Sequence, residues 1–276
     1  MAKRTKIIYV LLAVTVLMLV IDEHYCKRDI LIEDPGLHKA LKRGTGTSSE
    51  TFNIADLRSM DNLDAEGFDI RDLSGISECV NIHGLNLNHN NISDIQPLAS
   101  LHKIDILFIK YNDIENICPL SQLNNLYILH LGFNNIRDIS ALSSLDGLLY
   151  LGLENNRIQD ISPLAKLTKL KTLNLSNNNI SDISAIRNLR FIKQLWIDNN
   201  KVTSIKVVEN LRSVDMIDIS DNRIKDITPL LRCYKEGSIT TKTEIYLDGN
   251  PLNDDSLEVI EILKNAGVDI KVKKLQ

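Results

Sequence analysis

The chain should fold as an α/β solenoid: a horseshoe with one parallel concave β-sheet, an irregular or 3₁₀ convex side, and helical caps at both ends. Three observations predict it. An asparagine returns every 22 residues, at Asn90, Asn112, Asn134, Asn156, Asn178, Asn200 and Asn222. Apolar columns keep the same step, as in Leu145, Leu148, Leu151, Leu153, Ile158, Ile161 and Leu164. No insertion disturbs that register between Leu57 and Leu230. A period of this length marks stacked units, each of which buries its apolar side only against its neighbours.

Residues 1–26 read as a targeting segment. Lys3, Arg4 and Lys6 precede the uncharged stretch Ile7 to Ile21, a basic region followed by an apolar one. Val20 to Cys26 offers no pair of small residues for cleavage, and His24 and Tyr25 are too large for a lipoprotein box. A signal-anchor holding the membrane through Ile7 to Ile21 is the preferred reading, and a cleaved signal peptide is the alternative. The stretch is short against the roughly 20 residues of a bilayer span, with Tyr9 and the flanking lysines at the interface. Basic residues stay cytoplasmic, so the repeats would face outside, anchored or secreted.

Residues 27–56 read as an N-terminal helical cap. Glu33 to Leu41 suggests a short helix with an acidic start, Gly44 to Ser49 a loose loop, and Thr51 to Met60 a second helix. A solenoid with a bare end would expose its core, so a polar-faced cap is needed.

Eight repeats fill 57–232. Side chains two apart on a strand share a face, so Leu129 and Leu131 point inward while Ile128, His130 and Gly132 point outward. Where the strand turns away, a buried asparagine can satisfy backbone groups that no sheet partner reaches. The seven asparagines, with Asn250, should stack as a ladder. Pro97, Pro119, Pro163 and Pro229 recur on the return side, where a missing amide donor disfavours regular helix. Eight strands at ~4.8 Å give a sheet about 34 Å long.

Residues 233–276 hold an irregular last repeat and the C-terminal cap. The step from Asn222 to Asn250 is 28, which inserts six residues around Tyr234–Thr243. A helix near Asp255–Ala266 follows, stopped by Gly267.

These features resemble the bacterial internalin-like leucine-rich-repeat proteins of the 22-residue subfamily. The resemblance is carried by the repeat, by Asn-x-Ile-x-Asp-Ile at Asn90 to Ile95 and Asn178 to Ile183, by Asp34-Pro35-x-Leu37 and by Ile70-x-Asp72-Leu73-Ser74-Gly75-Ile76. It covers about residues 33–272 and implies a cell-surface or secreted interaction protein. Two departures are visible: no immunoglobulin-like domain adjoins the repeats, and no Leu-Pro-x-Thr-Gly motif ends the chain.

Chemistry is not advertised. A net charge of −4 argues against nucleic acid. Cys79 and Cys233 occupy leucine slots seven repeats apart, about 34 Å by strand spacing, too far to bridge. Cys118 lies on the convex side, and Cys26 borders the apolar segment, where it could link two chains. His89 and His130 lack ligands at metal spacing. The Gly44-Thr-Gly46 stretch is no phosphate loop. The repeated Asp72, Asp94, Asp138, Asp160, Asp182 and Asp226 suit turn formation better than calcium. No enzyme, metal or cofactor is expected.

The concave face carries what remains. Ile106, Phe108, Ile128, His130 and Tyr150 fall side by side, flanked by Tyr111 and Phe133. Contiguous exposed apolar and aromatic groups mark interfaces. A second locus, Trp196 with Asp198 and Asp218, and with Asp221 and Asp248 beyond, suits a basic partner. The expectation is a non-catalytic module that binds a protein through this face. An envelope scaffold, or an intracellular regulatory subunit of the phosphatase-binding repeat type, are the alternatives.

Overall fold

The structure, a computed structural model, describes residues 29–272. The apolar segment Ile7 to Ile21 and Cys26 lie outside the described residues. Among the described residues no helix is long and apolar enough to cross a membrane.

Short antiparallel strands β1 (Asp29–Ile30) and β2 (Phe52–Asn53) bracket helix α1 (Pro35–Thr45), and the five-residue helix α2 (Ile54–Arg58) follows. Ten parallel strands then form one sheet in strictly sequential order. They are β3 (Asn62–Asp64), β4 (Gly84–Asn86), β5 (Ile106–Phe108), β6 (Ile128–His130), β7 (Tyr150–Gly152), β8 (Thr172–Asn174), β9 (Gln194–Trp196), β10 (Met216–Asp218), β11 (Glu244–Tyr246) and β12 (Asp269–Lys271). Helix α3 (Thr228–Lys235) leads into β11, and helix α4 (Asp254–Asn265) separates β11 from β12.

The register follows the sequence period. Leu107 pairs with Leu129, Leu129 with Leu151 and Leu151 with Leu173. The columns of leucine and isoleucine beneath the sheet are fully buried, and Cys79 and Cys233 sit among them as apolar side chains. Burial pushes both thiols up to about 12, while Cys118 is exposed. From Gln96–Ser100 to Lys206–Asn210 the return side of each repeat is a five-residue 3₁₀ turn, preceded by an aspartate, or by Asn116 or Ser204, that accepts from the backbone two residues later. Asp138, Asp160 and Asp182 do so at 2.8 Å each. That local bond is what the repeated aspartate contributes.

Three sequence expectations need correction. The first helix extends to Thr45, so Gly44 and Thr45 are helical and not part of a loose loop. Gly44 fits there because a Cβ would come within 2.6 Å of the Met60 methyl. The second helix is confined to Ile54–Arg58, since Phe52 and Asn53 are held extended against β1 and the Asn53 side chain caps at Asp56. The sheet has ten strands where eight repeats were counted, because both C-terminal segments add a strand and raise its length to about 43 Å at ~4.8 Å spacing. The last strand closes on an Asp269–Lys271 ion pair at 2.8 Å, which gives the open edge a charged rim. The 28-residue step is absorbed by α3 and by Thr243, whose hydroxyl donates to the Val214 carbonyl at 2.7 Å.

Asp34 ties the N-terminal cap down. Its Oδ1 accepts from the Leu37 amide, capping α1, and its Oδ2 accepts from the amides of Arg71 and Asp72. Burial works against ionisation of Asp34, but backbone donors from Leu37, Arg71, Asp72 and Gly36 outweigh it, and its carboxyl titrates below the ordinary value of 3.8. A depressed folded value means the stabilisation is complete above the ordinary carboxylate range and is lost as pH falls through the folded value. Amide exchange at Leu37 should therefore accelerate in acid, and Asp34→Asn should remove that acid step. Equal acid sensitivity in both proteins would contradict this role.

Candidate partner-binding face

The site grows out of the pleat. Each strand of the ten-stranded sheet is three residues long, its central leucine or isoleucine faces the core, and its first and third residues face the concave side. Ile106, Ile128 and Tyr150 are register neighbours along the first outward column, as are Phe108, His130 and Gly152 along the second. Tyr150 is exposed, and the two isoleucines, Phe108 and His130 are half-buried. Phe108 meets His130 edge to face at 5.2 Å. Burial, reinforced by Lys110 and opposed by Glu154, lowers the His130 pKa, so the ring is neutral at physiological pH and adds to an apolar wall.

A second aromatic row runs beside the first. His89, Tyr111 and Phe133 immediately precede ladder asparagines and all have φ near +55°: 54°, 55° and 56°. The same turn position is filled by Asn155, Asn177 and Asn199 in later repeats, residue types that tolerate this region. Bulky rings are disfavoured there. Stacking offsets part of that cost: His89 lies on Tyr111 at 4.2 Å, and Tyr111 lies on Phe133 at 4.0 Å, nearly parallel. The Lys110 ammonium sits over both Tyr111 and Phe133, at 5.7 and 5.6 Å from their centroids.

Lys110 is held from the other side by Glu154, at 2.7 Å across the intervening repeat. That reach depends on glycine. A Cβ at Gly132 would come within 2.5 Å of the Glu154 carboxylate, and one at Gly152 within 3.0 Å. The Glu154 side chain therefore lies flat over two bare backbone positions and is itself buried. Its Oε2 has no hydrogen-bond partner.

The second locus lies farther along the sheet. Trp196 and Asp198 are half-buried on the concave side of β9 and just beyond it, and Asp218 ends β10. Asp198 accepts from the Ser176 hydroxyl and from Asn199, and Asp218 from the Ser220 hydroxyl and amide. Burial raises the Asp218 pKa, and the charges of Asp198 and Asp221 push the same way.

The fold thus brings Ile106, Phe108, Ile128, His130 and Tyr150 into one wall, with Tyr111 and Phe133 in a parallel row. Trp196, Asp198 and Asp218 form a separate locus. Sequence reasoning did not single out His89, Lys110, Gly132, Gly152 or Glu154 as a group. The 22-residue step contained a signal for His89, which shares the turn column of Tyr111 and Phe133. Nothing periodic signalled the Lys110–Glu154 bridge. Among the described residues no group of His, Cys, Asp or Glu is arranged to hold a metal ion.

The family model for leucine-rich repeats (2 copies) matches residues 146–188. Among solved structures, internalin C2 of Listeria monocytogenes is 26% identical, with a TM-score of 0.65 over 88% of this chain and 95% of that one. A leucine-rich-repeat protein of Leptospira interrogans is 21% identical, with a TM-score of 0.69 over 79% of this chain and 62% of that one. The plant peptide hormone receptor RGFR1, in complex with RGF2, is 22% identical, with a TM-score of 0.55 over 64% of this chain and 30% of that one. No curated protein sequence matches the chain significantly. A fold of this kind serves as a protein–protein interaction module, generally without catalysis of its own. With its sequential parallel sheet and its 3₁₀ returns, the chain has a leucine-rich-repeat solenoid fold and is similar to internalin C2.

Proposed function

We propose that the protein is a non-catalytic recognition module, displayed outside a bacterial membrane, that captures a protein partner through the concave face. The observation that carries this reading is the double row of rings. Three aromatic side chains occupy a positive-φ position that later repeats give to asparagine, and they stand beside a wall of Ile106, Phe108, Ile128 and Tyr150. Packing of the solenoid itself does not require them, since the same turn closes with Asn155, Asn177 and Asn199. Aromatic anchors at the centre of a surface are the usual carriers of binding energy.

On this reading residues 1–26 direct the chain to the membrane, 27–56 and 233–276 cap the solenoid, and the eight repeats of 57–232 present the surface. Intact mass and fractionation of the protein from its native cell test the display. Capture of a native partner by the full chain tests the face. Phe108→Ala with Tyr150→Ala should weaken capture by at least about a hundredfold, two aromatic anchors being removed together, with the melting midpoint unchanged. Undiminished capture by the double variant would place the interface elsewhere. A chain that captures no partner at all would favour a spacing role in the envelope.

A further inference from the structure

We infer that the partner presents an extended polypeptide segment, apolar at one end and basic at the other, which crosses the strands from the Phe108–Tyr150 wall to Asp198 and Asp218. This inference rests on the concave-face reading above and names the chemistry of the occupant.

The first observation is Glu154. Its Oε1 is taken by Lys110. Glu154 is thus spent on Lys110 inside the protein, and the ground between the two loci carries no free charge of its own from this pair. Glu154 follows β7, so it lies between the apolar wall centred on β6 and the acidic locus on β9 and β10.

The second observation is charge. The carboxylates of Asp198 and Asp218 are held by neutral donors, and no lysine or arginine pairs with either among the described residues. Asp221 stands close enough to add to the same field, which burial intensifies at Asp218. A cation brought by a partner finds uncompensated negative charge beside the Trp196 ring.

The third observation is dimension. Strands of three residues give a face about 10 Å wide, which accepts one chain segment. From β6 to β10 is four strand steps, about 19 Å, and an extended chain covers that in about six residues at ~3.3 Å each.

The test is selection of random 16-residue peptides displayed on phage against the immobilised full chain. The expected result is enrichment of peptides with an aromatic or aliphatic cluster separated by at least about six residues from arginine or lysine. Trp196 is the one tryptophan of the chain, so its fluorescence reports binding of a selected peptide directly. Asp198→Asn with Asp218→Asn should weaken that peptide at least tenfold and flatten its salt dependence. Phe108→Ala with Tyr150→Ala should weaken it while leaving the salt dependence intact. Peptides enriched without basic residues, peptides indifferent to the double asparagine change, or no enrichment at all would overturn the inference. If a native partner is still lost on removal of Phe108 and Tyr150, the binding face stands and only the proposed occupant falls.

Discussion

Replacing Asn156 by alanine is expected to lower the unfolding free energy by about 3 kcal/mol, the upper range for orphaning buried polar groups. The side-chain amide donates to the carbonyls of Leu131, Leu153 and Glu154, at 3.0, 3.1 and 3.3 Å, and its oxygen accepts from the Ile136 amide at 3.0 Å. These groups belong to two successive repeats, so one side chain closes its own turn and fastens the turn before it. Alanine restores none of these bonds and leaves no room for bulk water. Because repeats are coupled mainly to their neighbours, the loss should broaden the urea transition as well as lower its midpoint. Asn156→Asp discriminates further. A carboxylate there faces three carbonyls, so its folded pKa is raised above the unfolded value, and the penalty should ease as pH falls and the proton returns. Unchanged unfolding in the alanine variant, or an aspartate variant insensitive to acid, would refute the ladder as a source of stability.

Gly36→Ala is expected to cost about 3 kcal/mol, at the top of the usual range for overpacking, and to release the N-terminal cap. A Cβ at Gly36 would lie 2.1 Å from the Phe68 carbonyl oxygen and 3.1 Å from the Ile70 backbone nitrogen. Neither can retreat, because the amides of Phe68 and Ile70 are both bound to the Asn90 side chain. Nor can α1 shift outward while Asp34 joins its first turn to Arg71 and Asp72. Undocking would expose Leu37, Ala40 and Leu41, all fully buried, together with the first strand beneath them. Hydrogen exchange at residues 37–45 should speed up while exchange in the central repeats stays as it was. If protection at the cap survives the substitution, the close approach is not what fixes it.

Legibility in the sequence divides along periodicity. Leu129 and Leu151 are inward, and His130 outward, for a reason visible in the alternation itself. The asparagine column and its bonding role follow from the same step. At the caps, a helix opening after Asp34 is marked by its proline and acid, and it ends at Thr45 because Gly46 takes φ +70° and donates to the Lys42 carbonyl; no local pattern shows that Gly44 lies against Met60 from another segment. The tenth strand is similar, since Asp269–Lys271 has no repeat signature and joins the sheet because β11 offers an open edge.

At the candidate site the contrast is sharper. The sequence alone determined the solenoid, its core and which side chains emerge on the concave face, because each repeat contacts its copy one step away and a 22-residue period specifies that contact. Only the tertiary structure decided how those side chains engage one another: Glu154 folded over Gly132 and Gly152 to reach Lys110, and His89, Tyr111 and Phe133 stacked at positive φ. Those arrangements depend on rotamers and on space left two strands away, and a pattern of residue types carries no record of either.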